Sequence, residues 1–150
     1  MSQISTIFDN IQTAVSTLFP LKLELSDPVV IENNDEKTLA NGYGIHMSGA
    51  TNSNRVLCNQ YTVEREFVIT ITKLNAGTHK SNTIFESTIK SLLEELHLLI
   101  QTVNENTAIR NSVSIIDWVS DGGIERFSGD SKQFLMIRSI FRLEYFESLT

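Results

Sequence analysis

Between Tyr61 and Thr72 the chain alternates. Tyr61, Val63, Phe67, Ile69 and Ile71 fall on one side, and Thr62, Glu64, Glu66, Thr70 and Thr72 on the other. Successive side chains of a strand point to opposite faces, so this pattern predicts a strand with one buried and one wet face. No Pro or Gly interrupts the stretch from Arg55 to Leu74, and its β-branched content suits a pleated surface. At about 3.3 Å per residue the stretch from Tyr61 to Leu74 alone spans roughly 45 Å. That exceeds what a small domain needs for its own core, so the strand is expected to overhang the domain and meet something else.

The other period is helical. Ile4, Phe8, Ile11, Val15 and Leu18 recur at steps of three and four, which predicts a helix from Ile4 to Phe19, ended by Pro20. Phe85, Ile89, Leu92, Leu93, Leu96, Leu99, Ile100 and Val103 form a broader stripe, which predicts a helix from Thr83 to Val103. Thr83 with Glu86 has the form of a capping box. Such a helix is about 30 Å long and can pack across a sheet. Asn104 to Asn111 reads as its polar close.

Short strands are expected at Leu21–Leu25 and Leu39–Met47, with a polar surface loop at Glu32–Lys37 between them. Ser48 to Asn54 is small, polar and Gly-containing, which predicts a flexible tip between two antiparallel strands. Asn75–Ser81 reads as a second loop. Val113–Val119 is apolar on both faces, as for a central strand or one with a face against a partner. Asp121-Gly122-Gly123 signals a turn, followed by a short strand at Ile124–Phe127 and another turn at Ser128-Gly129-Asp130. The last strand, Phe134–Phe146, sets Leu135, Ile137, Phe141, Leu143 and Tyr145 against Met136, Arg138, Ile140, Arg142 and Glu144. Strands in runs, interrupted by helices, imply one α+β domain over residues 1–150. Its sheet is mainly antiparallel, with a long central helix and an N-terminal helix packed on one face.

Composition narrows the function more than the fold. The 150 residues carry a net charge of −6 and no basic cluster, which disfavours a nucleic-acid-binding role. No apolar run approaches the roughly 20 residues that span a bilayer, and the start of the chain lacks the pattern of a signal peptide. With Cys58 as the single cysteine, no disulfide forms within the chain, which fits assembly in a reducing cytosol.

Candidate chemistry is sparse. His46, His79 and His97 fall on a strand, a loop and a helix, without ligand spacing. Cys58 beside a histidine is the possible nucleophile, against an inert buried thiol. Glu64 and Glu66 share a strand face as a hydrolase pair would, and as solvated acids commonly do. No catalytic, cofactor or metal site is expected. Arg65 stands on the apolar side of its strand, and Arg138 and Arg142 line one side of the last strand. Such arginines either extend their stems to the sheet edge or require a carboxylate partner, for instance across a subunit boundary.

An ordered set of features resembles the tail terminator (tail-completion, or tail-to-head joining) proteins of long-tailed bacteriophages. These features are Leu-Phe-Pro at 18–20, Asn41-Gly42-Tyr43-Gly44-Ile45, and the polar stretch Ser48–Asn54. Val63 to Ile69, Asp121-Gly122-Gly123-Ile124-Glu125 and the terminal run from Phe134 to Phe146 complete it. The resemblance covers nearly the whole chain. It implies a non-enzymatic virion protein, assembled in the host cytoplasm, that forms a ring, typically a hexamer. The ring would cap the tail tube protein, end its polymerisation, and meet a head-completion or neck protein while DNA passes through the lumen. Candidate subunit or tube contacts are Ser48, Asn52, Asn54, Arg65, Asp121, Gly122, Arg138 and Arg142. Another neck or tail-tube component is the nearest alternative. A small α+β enzyme or ligand-binding domain using Cys58 or Glu64/Glu66 is the alternative of another class.

Overall fold

The computed structural model describes residues 2–75, 86–129 and 131–149. The fold is α+β. Helix α1 (Gln3–Leu18) is followed by β1 (Leu23–Glu24), a 3-10 turn at Ile31–Asn33, and the short helix α2 (Glu36–Leu39). Two long strands follow, β2 (Asn41–Leu57) and β3 (Gln60–Leu74). After α3 (Glu86–Glu105) and α4 (Thr107–Ser112), β4 (Ile115–Ser128) and β5 (Gln133–Ser148) complete the sheet. The strand order is β1-β2-β3-β5-β4. All neighbours are antiparallel except β1 with β2.

One face of the sheet, here the inner face, carries the main core. Phe67, Ile69 and Ile71 of β3 and Ile137, Phe141 and Leu143 of β5 pack against Ile7, Ile11 and Val15 of α1 and Leu92, Leu99 and Val103 of α3. Phe67 and Phe141 stack across the two strands with ring centroids 5.1 Å apart. Both predicted helices are present and cover this face. Thr83, Phe85 and residues 76–81 of the predicted loop lie outside the described residues. Within the predicted stripe Leu93 is exposed. It lies on the far side of a helix that Leu92, Leu96 and Leu99 already fasten down.

The outer face is not simply wet. Thr70 and Thr72 are buried, contrary to the alternation reading. The segment from Leu25 to Leu39 folds over that end of the face and forms a second core of Leu25, Ile31, Leu39, Phe134 and Met136. Two glycines of β2 make room for it. A Cβ on Gly44 would lie 2.8 Å from Pro28 Cβ, and one on Gly42 would lie 2.6 Å from the Thr38 carbonyl oxygen. The clamp rests directly on the strand backbone. The expected Glu32–Lys37 loop is instead the 3-10 turn and α2, because Asp35 caps α2 by accepting from Thr38 N at 2.8 Å. Asn34 is buried inside and donates to the Asp27 and Ile31 carbonyls. Glu36 accepts from Ser131 N and Oγ and so ties the clamp to the β4–β5 connection.

Four further elements differ from the expected ones. Ser48–Asn54 is not a tip. It lies within β2, and the hairpin turns at Cys58-Asn59, so Arg55–Leu57 belongs to β2 rather than to the start of β3. β2 absorbs its small residues as register shifts between Met47 and Asn52. Asp121-Gly122-Gly123 is likewise a bulge inside β4 rather than a turn between two strands, with Gly123 at φ 74. Strand β4 is an edge strand and not a central one, so Ile115, Trp118 and Val119 remain exposed. The polar close predicted at Asn104–Asn111 contains α4, capped by Asn106.

Candidate interaction surface

Strands β2, β3 and β5 continue past the clamp as a three-stranded arm. Asn54 pairs with Thr62 and Thr62 with Phe146, and Leu149 N donates to the Asn59 carbonyl at the tip. Residues 49–60 are all exposed. The inner side of the arm is anchored. Glu147 accepts from Gln3 N and Ile4 N at the start of α1, where a carboxylate is favoured by the helix dipole. The outer side has no cover among the described residues. On the arm Val56, Leu57, Phe146 and Leu149 are 53 to 67% exposed. The pairing of Leu57 with Gln60 and of Phe146 with Thr62 puts those two on the outer side, exposed large apolar side chains of the kind that marks interaction surfaces.

Arg65 occupies the inner side of this arm, as its position in the alternation requires. It does not meet a carboxylate among the described residues. Its Nε donates to Tyr145 Oη at 3.3 Å, and its Nη1 donates to the Ser48 carbonyl at 2.8 Å. Ser48 and Arg65 are thereby brought together, and the arginine pins the bulged part of β2 to the arm. This is a structural bond within one chain.

Arg138 and Arg142 lie on the outer face, as predicted from their side of β5. Both find partners inside the chain. Arg142 lies 3.4 Å from Glu64 and 3.3 Å from Asp117, and Arg138 lies 4.0 Å from Glu125. Asn52 and Asn54 share that face through their pairing with Glu64 and Thr62. Asp121 and Gly122 sit apart, on the bulge of the β4 edge, where Asp121 accepts from Gly123 N at 2.8 Å. The eight predicted contact residues therefore form three groups: the Arg65–Ser48 anchor, the charged outer face, and the kinked edge.

The enzymatic alternative meets a specific geometry. Cys58 is exposed at the hairpin turn, not buried in a strand. Glu64 holds Arg142 on an open sheet face. Among the described residues no group of three His, Cys, Asp or Glu is placed to hold a metal ion, and no helix is long and apolar enough to cross a membrane.

Both free sheet edges are irregular. β1 pairs with β2 only at Gly42 and Tyr43, which leaves the rest of that edge open. At the height of the open part β2 is bulged, and β4 shifts register between Trp118 and Ser120 and between Asp121 and Ile124. Bulges on exposed edges oppose uncontrolled strand pairing. One feature the pattern analysis missed is Lys22, buried between Leu21 and Leu23. A lone cation inside a short apolar run was the signal for it.

Fold and surface together define a class: an α+β protein with a helix-covered sheet, a clamp on the opposite face and a projecting β arm. No protein-family model matches this chain, and no curated protein matches it.

Proposed function

We propose that this chain is a virion structural protein that closes into a ring of six, caps the tail tube, ends tail polymerisation and receives the head-completion or neck protein. The observation that carries this reading is the three-stranded arm, which holds Val56, Leu57, Phe146 and Leu149 exposed beyond the helical layer. A closed ring needs a heterologous interface, made of two different patches on one subunit. The arm and the β4 edge are two such patches. The outer face of β3, β4 and β5 carries Glu64, Glu66, Asp117, Glu125 and Glu144 against Arg138 and Arg142. Turned toward a lumen, that acidic excess lets DNA pass without adhering.

Electron microscopy of tails assembled without this protein tests the proposal. Overlong tubes are the expected result, and tails of normal, uniform length would sink it. The enzymatic alternative is separated by Cys58→Ala and Glu64→Gln. A structural cap keeps its capping function in any such variant that stays folded and assembles.

A further inference from the structure

Lys22 is the only charged residue buried among the described residues. Its Nζ donates to Asn41 Oδ1 at 2.7 Å and to the Thr72 carbonyl at 3.2 Å, and lies 2.9 Å from Glu95 Oε1. That last contact pairs the buried ammonium with the carboxylate. The other oxygen of Glu95 accepts from Lys73 Nζ at 2.7 Å, and Lys73 also donates to Ser91 Oγ at 2.8 Å. Two ammonium groups thus share one carboxylate. Burial pushes the Lys22 pKa below its ordinary value, and the charge of Glu95 opposes that push. An excess positive charge in a place of reduced hydration calls for an anion.

A cavity of about 310 Å³ opens beside this trio. Leu18, Phe19 and Leu21 form its apolar wall, and Lys22, Lys73 and Glu95 its polar floor. Leu21 is 86% exposed, the most exposed large apolar side chain described. Lys73 uses two of its three donors on described residues, and its side chain is 25% exposed. An apolar pocket with a few convergent polar groups and a perturbed ionisable group is the usual form of a ligand site.

We propose that this cavity binds a small carboxylate carrying a short apolar tail. The carboxylate takes the third donor of Lys73 and offsets the excess charge, and the tail covers Leu18 and Leu21. A free short-chain acid and the C-terminal carboxylate of a peptide ending in an apolar residue present the same chemistry. The site is independent of the arm and of the capping role.

Amide NMR titration with pentanoate, pentanol and pentylamine tests it. Pentanoate should give saturable shifts at Leu21, Lys22 and Lys73 with Kd on the order of 1 mM. Pentanol should bind roughly tenfold more weakly, as expected when a charged hydrogen bond is lost, and pentylamine should give no shift. Tighter binding of N-acetyl-leucine than of pentanoate assigns the site to a peptide terminus, and the reverse assigns it to a free acid. Lys73→Met should weaken pentanoate roughly tenfold. Leu21→Ser, at the exposed rim, tests the tail contact in a variant whose core is untouched, and should weaken pentanoate but not acetate. Absence of a saturable shift, equal binding of pentanol, or unchanged pentanoate affinity in either variant overturns the proposal.

Discussion

The two ends of the sheet share three strands and differ in what covers them. At the clamped end, β2, β3 and β5 are covered on both faces, by α1 and α3 on one side and by Leu25–Leu39 on the other. At the arm end the same strands keep only an inner anchor, through Arg65, Tyr145 and the contact of Glu147 with α1. Pairing of β3 with β5 is continuous through both ends, from Leu74–Phe134 to Gln60–Ser148, whereas β2 is bulged along the arm. The main difference between the ends is therefore in what covers the side chains. Burial supplies most of the free energy of folding, so the clamped end holds the fold, and under the proposed function the arm end is the part that meets a partner.

The largest effect should come from the heart of the clamped end. Phe134→Ala removes a fully buried ring of the clamp core, stacked on Phe127, and should cost about 3–5 kcal/mol in urea unfolding. A loss under about 1 kcal/mol would show that the two-sided region does not dominate stability. Next, Gly44→Val places a Cβ against Pro28 and Leu25 and should cost about 1–3 kcal/mol by overpacking. It should also speed amide exchange across the clamp. A neutral result would mean that the clamp yields without resistance.

Acid should loosen the clamp before it loosens the helix-covered core. Asp27 is held below the usual carboxylate range chiefly by its bond from the Val30 N–H, and Asp35 by its bonds from Thr38. A depressed folded pKa contributes stability that is present above the ordinary value of 3.8 and is lost as pH falls through the folded value. Amide exchange at Val29, Val30 and Thr38 should therefore rise in the window below pH about 4, ahead of exchange in β3. Simultaneous loss in both regions would remove this distinction.

The smallest effect on stability belongs to the arm, where it carries the most information. Leu57→Ser and Phe146→Ser change exposed side chains and should shift unfolding by less than about 0.5 kcal/mol. If the arm makes the ring, native mass spectrometry and electron microscopy should nevertheless show assembly and tube capping lost. Intact capping in the double variant would shift the interface to the β4 edge.

The sequence determined on its own whatever rests on local period. The 3.6-residue stripes placed α1 and α3, and the two-residue alternation placed β3 and β5 and put Arg65 on the inner side and Arg138 and Arg142 on the outer side. Those patterns report which face of an element is buried, and a local pattern suffices for that. Tertiary structure decided the rest. Glycines at 42, 44, 49, 122 and 123 read locally as strand leads, tip and turn. Gly42 and Gly44 became close-approach points because the clamp rests on them, and Gly49, Gly122 and Gly123 fell in bulges because neighbouring strands hold the register through them. Thr70 and Thr72 read as wet because their polarity suits water, and they were buried by a clamp contributed from more than thirty positions earlier. The partners of Arg65, Arg142 and Lys22 were not legible either, because each lies on a strand or helix distant in sequence. Period along the chain encodes the burial of a face, and the identity of what covers that face exists only once the chain has folded.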